Sequence, residues 1–571
     1  MTAPQPTDRD PPPPAGPARP TLRPLAAALA LYLVVGALAA WGNRDQVNPD
    51  GLSYLQLATC LAQGTPSASV SGYWSPLLIW SLAPLLALGV SPLIAARVTL
   101  LLWGALGLVA TRQLALRFEL PPWPRAVALG CCALALADLT TRVITPDVVI
   151  GSCLLAYAAQ VTAPALLEGR RSCVACALGG LAFLAKSYAL PFVVLHFPLT
   201  VYLRYRQRRG RLPAEQHPAL RRRALRAAGL GFAALLLVVG PWVATLSWKH
   251  SRLTWSTVGP LAYAAAGPGN EPGTVTHPLL GVRAIPSPHL SIWERPELMP
   301  YPAWSPLAST ANALHQARIV KANLWWTCRI LASWDPLYLG PCFLLLGTAF
   351  VIARRPWPSR WERALEWLAT WTLGTCALYC AGYLLVYVDE RYLSCFLLPL
   401  TVLWVLRCVH ELCEAWRRAP DPAPRARRAW PLALAAVFVA FSFYPASRLA
   451  RRATQGSSGS VARQRLLSYL DAIGWEGAFA VLHSPGPASS AGGSTEDLWR
   501  EGQRISFLLQ RPFAGADLSA AVEARELDLA AVNAVLHYAS AGSPPLELDA
   551  GWGLAGTLAY SGGRLEVWVR R

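Results

Sequence analysis

Charge is scarce in this chain of 571 residues: 15% of positions are Asp, Glu, Lys or Arg, against about 25% in an average soluble domain. With 54% hydrophobic residues and a mean hydropathy of +0.33, that shortage excludes an ordinary soluble enzyme and points to a polytopic membrane protein. Lysine is nearly missing. Lys186, Lys249 and Lys321 are the only three, so arginine carries almost all of the positive charge behind the net +19. The arginines cluster in short loops between apolar runs, the pattern of cytoplasmic loops, which argues against nucleic acid as a partner. No small-residue cleavage site follows the apolar run 23–41, so it does not read as a signal peptide. No internal repeat marks the paired halves of a transporter.

Thirteen cysteines are present, but most, including Cys131, Cys132, Cys153, Cys342, Cys376, Cys380, Cys395 and Cys408, fall inside apolar runs, where Cys acts as a small hydrophobe. Cys173-x-x-Cys176 has metal or redox spacing but opens a span and lacks a second pair. His250, His277, His289 and His315 show no ligand spacing. His196 lies within a span, where a functional role and a satisfied packing role are both open.

Apolar runs recur near 23–41, 75–90, 93–113, 125–140, 148–163, 172–185, 189–203, 227–247, 336–353, 364–386, 393–411 and 429–446. If all of them crossed, several arginine-rich loops would fall outside. Treating 75–90 as a re-entrant or juxtamembrane segment, short and broken by Pro84, repairs every later loop. The expectation is an α-helical polytopic membrane protein of about eleven crossings, N-terminus cytoplasmic and C-terminus extracytoplasmic. Loops 112–125, 164–171, 204–226, 354–363 and 412–428 then lie inside, all basic or carrying paired arginines. Outside lie 42–74, 141–147, 186–188, 248–335, 387–392 and 447–571.

The organisation that follows is a disordered Pro-rich cytoplasmic tail (1–22), a transmembrane module (23–446) and a small extracytoplasmic α/β domain (447–571). In that last part RQRLLSYLDAI has helical spacing, FAVLHS reads as a buried strand, and LAYSGGRLEVWV reads as two strands around a Gly-Gly turn. The loop 248–335, rich in Trp, Pro, Gly and His, carries few strong helix or strand signals.

Under this topology Asp50, Asp147, Lys186 and Asp389-Glu390-Arg391 all reach the outer face, each at the edge of an apolar run where a charge is costly unless it serves a site or meets water. Asp50 begins a stretch whose helical spacing turns Leu52, Leu55 and Tyr54 towards the bilayer as an interfacial helix. It can cap that helix or take a proton from an acceptor hydroxyl. Asp147 follows Pro146 as a helix-start acid or a second site acid. Lys186 can snorkel or bind a phosphate as a point charge. Arg391 can pair locally with Asp389 or Glu390, or grip a lipid phosphate. Tyr73, Trp74, Trp80, Trp325 and Trp326 stand at interface depth, as belt anchors or as stacking surfaces for a sugar.

Taken in order, these residues resemble the polytopic GT-C-fold glycosyltransferases that use lipid-phosphate sugars, notably bacterial relatives of protein O-mannosyltransferases and aminoarabinose transferases. The resemblance spans about residues 25–400. It rests on Asp50 with Tyr54, on Trp74-Ser75-Pro76-Leu77, on Thr145-Pro146-Asp147 followed by GLAFLAKSYALPF with Lys186, and on Glu390-Arg391-Tyr392. It implies Asp50 and Asp147 as catalytic acids and Lys186 and Arg391 as donor-phosphate ligands. Tyr54, Trp74, Glu390 and Tyr392 become candidate substrate contacts. The implied partners are the bilayer, a polyprenyl-phosphate sugar and a hydroxyl acceptor, at a bacterial plasma membrane. No cofactor is required. Gly51 stands where the family often has a second acid, which leaves a divalent metal open. A lipid-linked substrate flippase and a non-catalytic envelope scaffold are the competing classes.

Overall fold

A computed structural model describes residues 22–279, 284–352, 360–417, 424–454, 458–484, 495–517 and most of 532–571. The Pro-rich tail to residue 21, the stretches 353–359 and 418–423 of two basic loops, and the turn residues before Gly563 lie outside the described residues. The chain opens with α1 (Arg23–Gly42), followed by three short helices, α2 (Pro49–Ala62), α3 (Pro66–Ser69) and α4 (Pro76–Ala87). Next come α5 (Pro92–Arg117), α6 (Pro122–Arg142), α7 (Asp147–Val161), α8 (Arg170–Ala185), α9 (Ala189–Arg209) and α10 (His217–His250). After α11 (Val258–Ala265) and two 3-10 turns, the chain continues as α12 (Thr310–Ala332), α13 (Leu339–Ile352), α14 (Arg360–Leu384), α15 (Glu390–Arg417) and α16 (Pro424–Thr454). Proline at the first turn of α2, α4, α5 and α6 suits a position whose amide has no intrahelical partner.

The molecule is a mostly helical polytopic membrane protein. Six described helices are long and apolar enough to cross a bilayer: Arg23–Gly42, Pro92–Arg117, Pro122–Arg142, Ala214–His250, Glu390–Arg417 and Trp430–Thr454. Three apolar helices are shorter: Pro76–Ala87, Asp147–Val161 and Leu339–Ile352. The twelve residues of α4 rise about 18 Å, short of a hydrocarbon core of about 30 Å. At the centre, α7 packs against α5, α8 and α15. Its contact with α15 is backbone to backbone: a methyl group on Gly151 would lie 2.5 Å from the Cys395 carbonyl oxygen.

Two expectations are corrected. The helix α2 is not an interfacial helix with one face in lipid. Leu52, Leu55 and Tyr54 are buried inside the protein, because α4 packs against α2, and α18 (Thr495–Leu509) and the turn Ile292–Glu294 contact it too. The stretch 248–335 contains a 23-residue helix, α12, capped by Ser309, whose hydroxyl accepts from the Asn312 amide. Three of the five residues in its buried stripe, His315, Asn323 and Thr327 beside Ile319 and Ile330, are polar, so apolar periodicity does not reveal it.

At the C-terminus, α17 (Ser458–Ile473) precedes a five-stranded mixed sheet. Its strands are β1 (Phe479–Ser484), β2 (Phe513–Asp517), β3 (Ala534–Ser540), β4 (Trp552–Tyr560) and β5 (Gly563–Arg570), in the order β2-β1-β3-β5-β4. The β1–β2 and β1–β3 pairs are parallel, and β5 runs antiparallel to β3 and β4. The continuous apolar run of FAVLHS follows from β1 being flanked on both edges.

Candidate active site

Four helix ends bring the charged residues together. Asp50 is the second residue of α2, Asp147 begins α7, Lys186 ends α8 in extended backbone, and Arg391 is the second residue of α15. Lys186 Nζ donates to Asp147 Oδ1 at 2.8 Å, and the Thr145 hydroxyl donates to Asp147 Oδ2 at 2.8 Å. Arg391 occupies the middle. Its Nη2 lies 3.1 Å from Asp50 Oδ2, and its Nε lies 3.7 Å from Asp147 Oδ2 and 3.4 Å from Asp389 Oδ2. Asp389 also accepts the Arg391 backbone amide at 3.0 Å, which caps α15 and fixes the start of the helix. Two cations thus face three carboxylates.

Aromatic rings frame this cluster. The Tyr392 ring lies under Lys186 Nζ at 3.4 Å, and Tyr383 stacks between Tyr392 and Tyr188 at centroid distances of 5.3 and 3.8 Å. On the other side Tyr54 meets Trp74 edge-on at 5.1 Å, and Trp74 donates its indole N–H to the Trp293 carbonyl at 2.8 Å. The Trp293 indole N–H points at Asp50 Oδ1, 3.4 Å away. His277 lies against Trp293 at 4.7 Å and shares a 2.7 Å hydrogen bond with the Tyr301 hydroxyl. Burial holds its imidazole down at about 4, against a smaller opposing pull from the Asp50 charge, so it is neutral at neutral pH.

The cluster forms the charged end of a cavity of about 910 Å³. Asp50, Asp147, Lys186 and Arg391 line it, together with Tyr54, Trp74 and Tyr392. Elsewhere its wall is apolar or aromatic, with Leu253, Trp255, Leu261 and Val386, and it carries a second polar patch at Arg252, Arg295 and Glu297. A cavity of this size with few convergent polar groups has the form of a small-molecule or lipid headgroup site.

Glu390 is not brought to this cavity. It turns the other way, 2.8 Å from Arg142 and 2.7 Å from Arg448, in an ion network that also joins Arg448 and Arg452 to Asp138. His196 has both ring nitrogens satisfied, by Tyr157 at 2.8 Å and Thr375 at 2.9 Å. Trp325 and Trp326 stand exposed on α12, away from the cavity lining. Asp50 and Asp147 do not present the donor set of a metal centre, since each carboxylate contacts Arg391, and among the described residues no group of three or more His, Cys, Asp or Glu side chains is arranged to hold a metal ion. Sequence reasoning missed Trp293, Tyr188 and Tyr383. Trp293 lies 243 residues from Asp50 in a loop already rich in tryptophan, so no local signal singles it out.

No family model and no curated protein matches this sequence. Solved structures do match. ArnT from Cupriavidus metallidurans bound to undecaprenyl phosphate aligns with a TM-score of 0.51 at 13% identity, covering 96% of this chain and 97% of that one. The Archaeoglobus fulgidus oligosaccharyltransferase, in complex with Zn and sulfate, aligns with a TM-score of 0.50 at 10% identity, covering 90% of this chain and 68% of that one. Over nearly its whole length the chain therefore has the architecture of the GT-C glycosyltransferases.

Proposed function

We propose that the protein is an inverting glycosyltransferase that moves a sugar from a polyprenyl-phosphate donor to a hydroxyl acceptor at the outer face of a bacterial plasma membrane. The observation that carries this reading is Arg391 lying between Asp50 and Asp147, with Lys186 beside Asp147, at the end of a large cavity in a GT-C-like fold. A polyprenyl chain stays in the bilayer while its phosphate reaches Lys186 and Arg391. Their charges stabilise the phosphate as the anomeric C–O bond breaks and negative charge grows on the leaving oxygen. Asp50 takes the proton of the acceptor hydroxyl as that oxygen attacks the anomeric carbon from the opposite face. Polyprenyl phosphate leaves already ionised, so no protonated general acid is needed. Asp147 holds Lys186 and Arg391 in place, and Tyr54, Trp74 and Tyr392 form the walls around the sugar.

The undecaprenyl phosphate in the ArnT structure supports a donor of this chemical type. In this reading the N-terminus is cytoplasmic and the C-terminus outside, short helices such as α7, α8 and α13 are among about eleven crossings, and 447–571 is a separate extracytoplasmic domain. Purified protein in nanodiscs, offered a panel of radiolabelled polyprenyl-phosphate sugars, should release free polyprenyl phosphate from one of them. Translocation of intact donor without release would instead make the protein a flippase.

A further inference from the structure

Asp50 Oδ1 receives the Trp293 indole, yet Trp293 does not line the cavity. The ring lies behind the carboxylate, packed on Tyr73, Trp74 and His277 at 5.7, 5.7 and 4.7 Å. Its position is set from the C-terminal sheet. Leu290 and Ser291 run alongside β2, the edge strand, with a parallel bridge from Ser291 to Phe513 and the Phe513 amide donating to the Leu290 carbonyl at 2.7 Å. An edge strand leaves a row of backbone groups unpaired, and the loop takes them up.

Side chains of α18 reinforce the junction. Gln503 donates to the Ser291 hydroxyl at 2.9 Å, Ser506 donates to the Leu290 carbonyl at 3.1 Å, and Trp499 meets Trp293 edge-on at 5.7 Å. Within the loop, the buried Glu294 carboxylate accepts the Leu290 and Ser291 amides at 3.1 and 3.0 Å and contacts His289 at 2.9 Å. Ser291 caps the turn by accepting the Trp293 amide at 3.1 Å. The loop that carries Trp293 is thereby held by its own turn and by bonds from β2 and α18.

We propose that Trp293 is a positioning residue for Asp50, and that docking of the C-terminal sheet on residues 289–294 sets the orientation of that carboxylate. The indole occupies one lobe of Oδ1 and Arg391 holds Oδ2, so the remaining lone pairs of Asp50 face the cavity. The C-terminal region is then a working part of the site as well as a separate fold. This inference rests on Asp50 acting as the base, and the experiment separates the two claims.

Three full-length variants are compared with wild type in nanodiscs: Trp293→Phe, which keeps a ring but removes the N–H; Asp50→Ala; and the double variant. Undecaprenyl phosphate binding, thermal stability and turnover on whichever polyprenyl-phosphate sugar is consumed are the readouts. A hydrogen bond to a charged group is worth about 1.5–3 kcal/mol, so Trp293→Phe should lower kcat roughly tenfold or more. KM and the undecaprenyl phosphate Kd should stay within about twofold. The pair Gln503→Ala, Ser506→Ala, remote from the ring, should lower kcat in the same direction with unchanged Kd. The Tm losses of Trp293→Phe and Asp50→Ala should overlap in the double variant. Additive Tm losses, or an unchanged kcat in Trp293→Phe, would overturn the positioning role. Overlapping Tm losses with no donor consumed would leave that contact intact and overturn the transferase reading.

Discussion

Arg391 and Asp50 are 341 residues apart, yet Nη2 of the first lies 3.1 Å from Oδ2 of the second. The same guanidinium reaches Asp147 and Asp389 through Nε. One planar fork therefore holds the N-termini of α2, α7 and α15 together. A lysine carries the charge but is a single point at the end of a flexible stem. Arg391→Lys should therefore lose transfer activity by roughly a hundredfold or more, the scale seen when one charge-stabilising donor is removed. Near-wild-type turnover by Arg391→Lys would show that the fork geometry is not used.

Asp147 is nearly buried, with its side chain 5% exposed, and Lys186 is its closest cation. Removing the lysine leaves a carboxylate in a poorly solvated position, which is more damaging than removing both charges. Lys186→Ala should weaken undecaprenyl phosphate binding and lower Tm. The double variant Lys186→Ala, Asp147→Asn should recover Tm while binding stays weak. Thermal unfolding and a binding isotherm on the three proteins test both halves. A double variant less stable than Lys186→Ala would contradict the pairing.

Gly51 follows Asp50 directly and faces the segment before α7. A methyl group there would sit 2.7 Å from Ile144 Cβ and 3.1 Å from the Ile144 carbonyl oxygen. Because Ile144 belongs to the segment leading into Asp147, any side chain at 51 pushes α2 away from α7 and stretches the Asp50–Arg391–Asp147 bridge. Gly51→Asp should reduce activity at every divalent metal concentration, and Gly51→Ala should reduce it too. Activity gained by Gly51→Asp on adding a divalent cation would contradict this steric account.

His277 gives the fold a pH dependence with a definite sign. Burial lowers its pKa from 6.5 to about 4, so the unfolded chain binds a proton that the folded chain refuses between those values. Stability from this group is fully present above pH 6.5 and is lost as pH falls towards 4, by at most about 1.4 kcal/mol per pH unit. Buried Glu294 acts in the opposite sense: burial raises its pKa above 4.5, so its contribution falls as pH rises through that range. Wild-type Tm should drop between pH 7 and pH 5 by more than that of His277→Gln. Equal drops would remove His277 from the account.

Charge parity groups Asp50, Asp147, Lys186 and Arg391 at one face without saying which of them touch. Parity rests on the energetic cost of a misplaced arginine loop, which is the same whatever the tertiary structure. Pairing depends on packing between α2, α7, α8 and α15, which no local pattern encodes. In the C-terminal part, β1 is legible as a continuous apolar run, and β4 and β5 as two runs around a Gly-Gly pair, whereas α12 is hidden by a buried face that includes His315, Asn323 and Thr327. The burial of α2 is hidden for a related reason: Leu52 and Leu55 would suit either lipid or protein, and one of the elements packed on the helix, α18, lies more than 400 residues downstream. Trp293 is the clearest case: its role is defined by one hydrogen bond to Asp50 and by the strand edge behind it.

The most direct test compares wild type and Asp50→Asn in nanodiscs for release of polyprenyl phosphate from radiolabelled polyprenyl-phosphate sugars. The account predicts that wild type consumes one donor and that Asp50→Asn, folded and still binding undecaprenyl phosphate, releases almost nothing. Undiminished release by a folded Asp50→Asn protein would contradict the central claim.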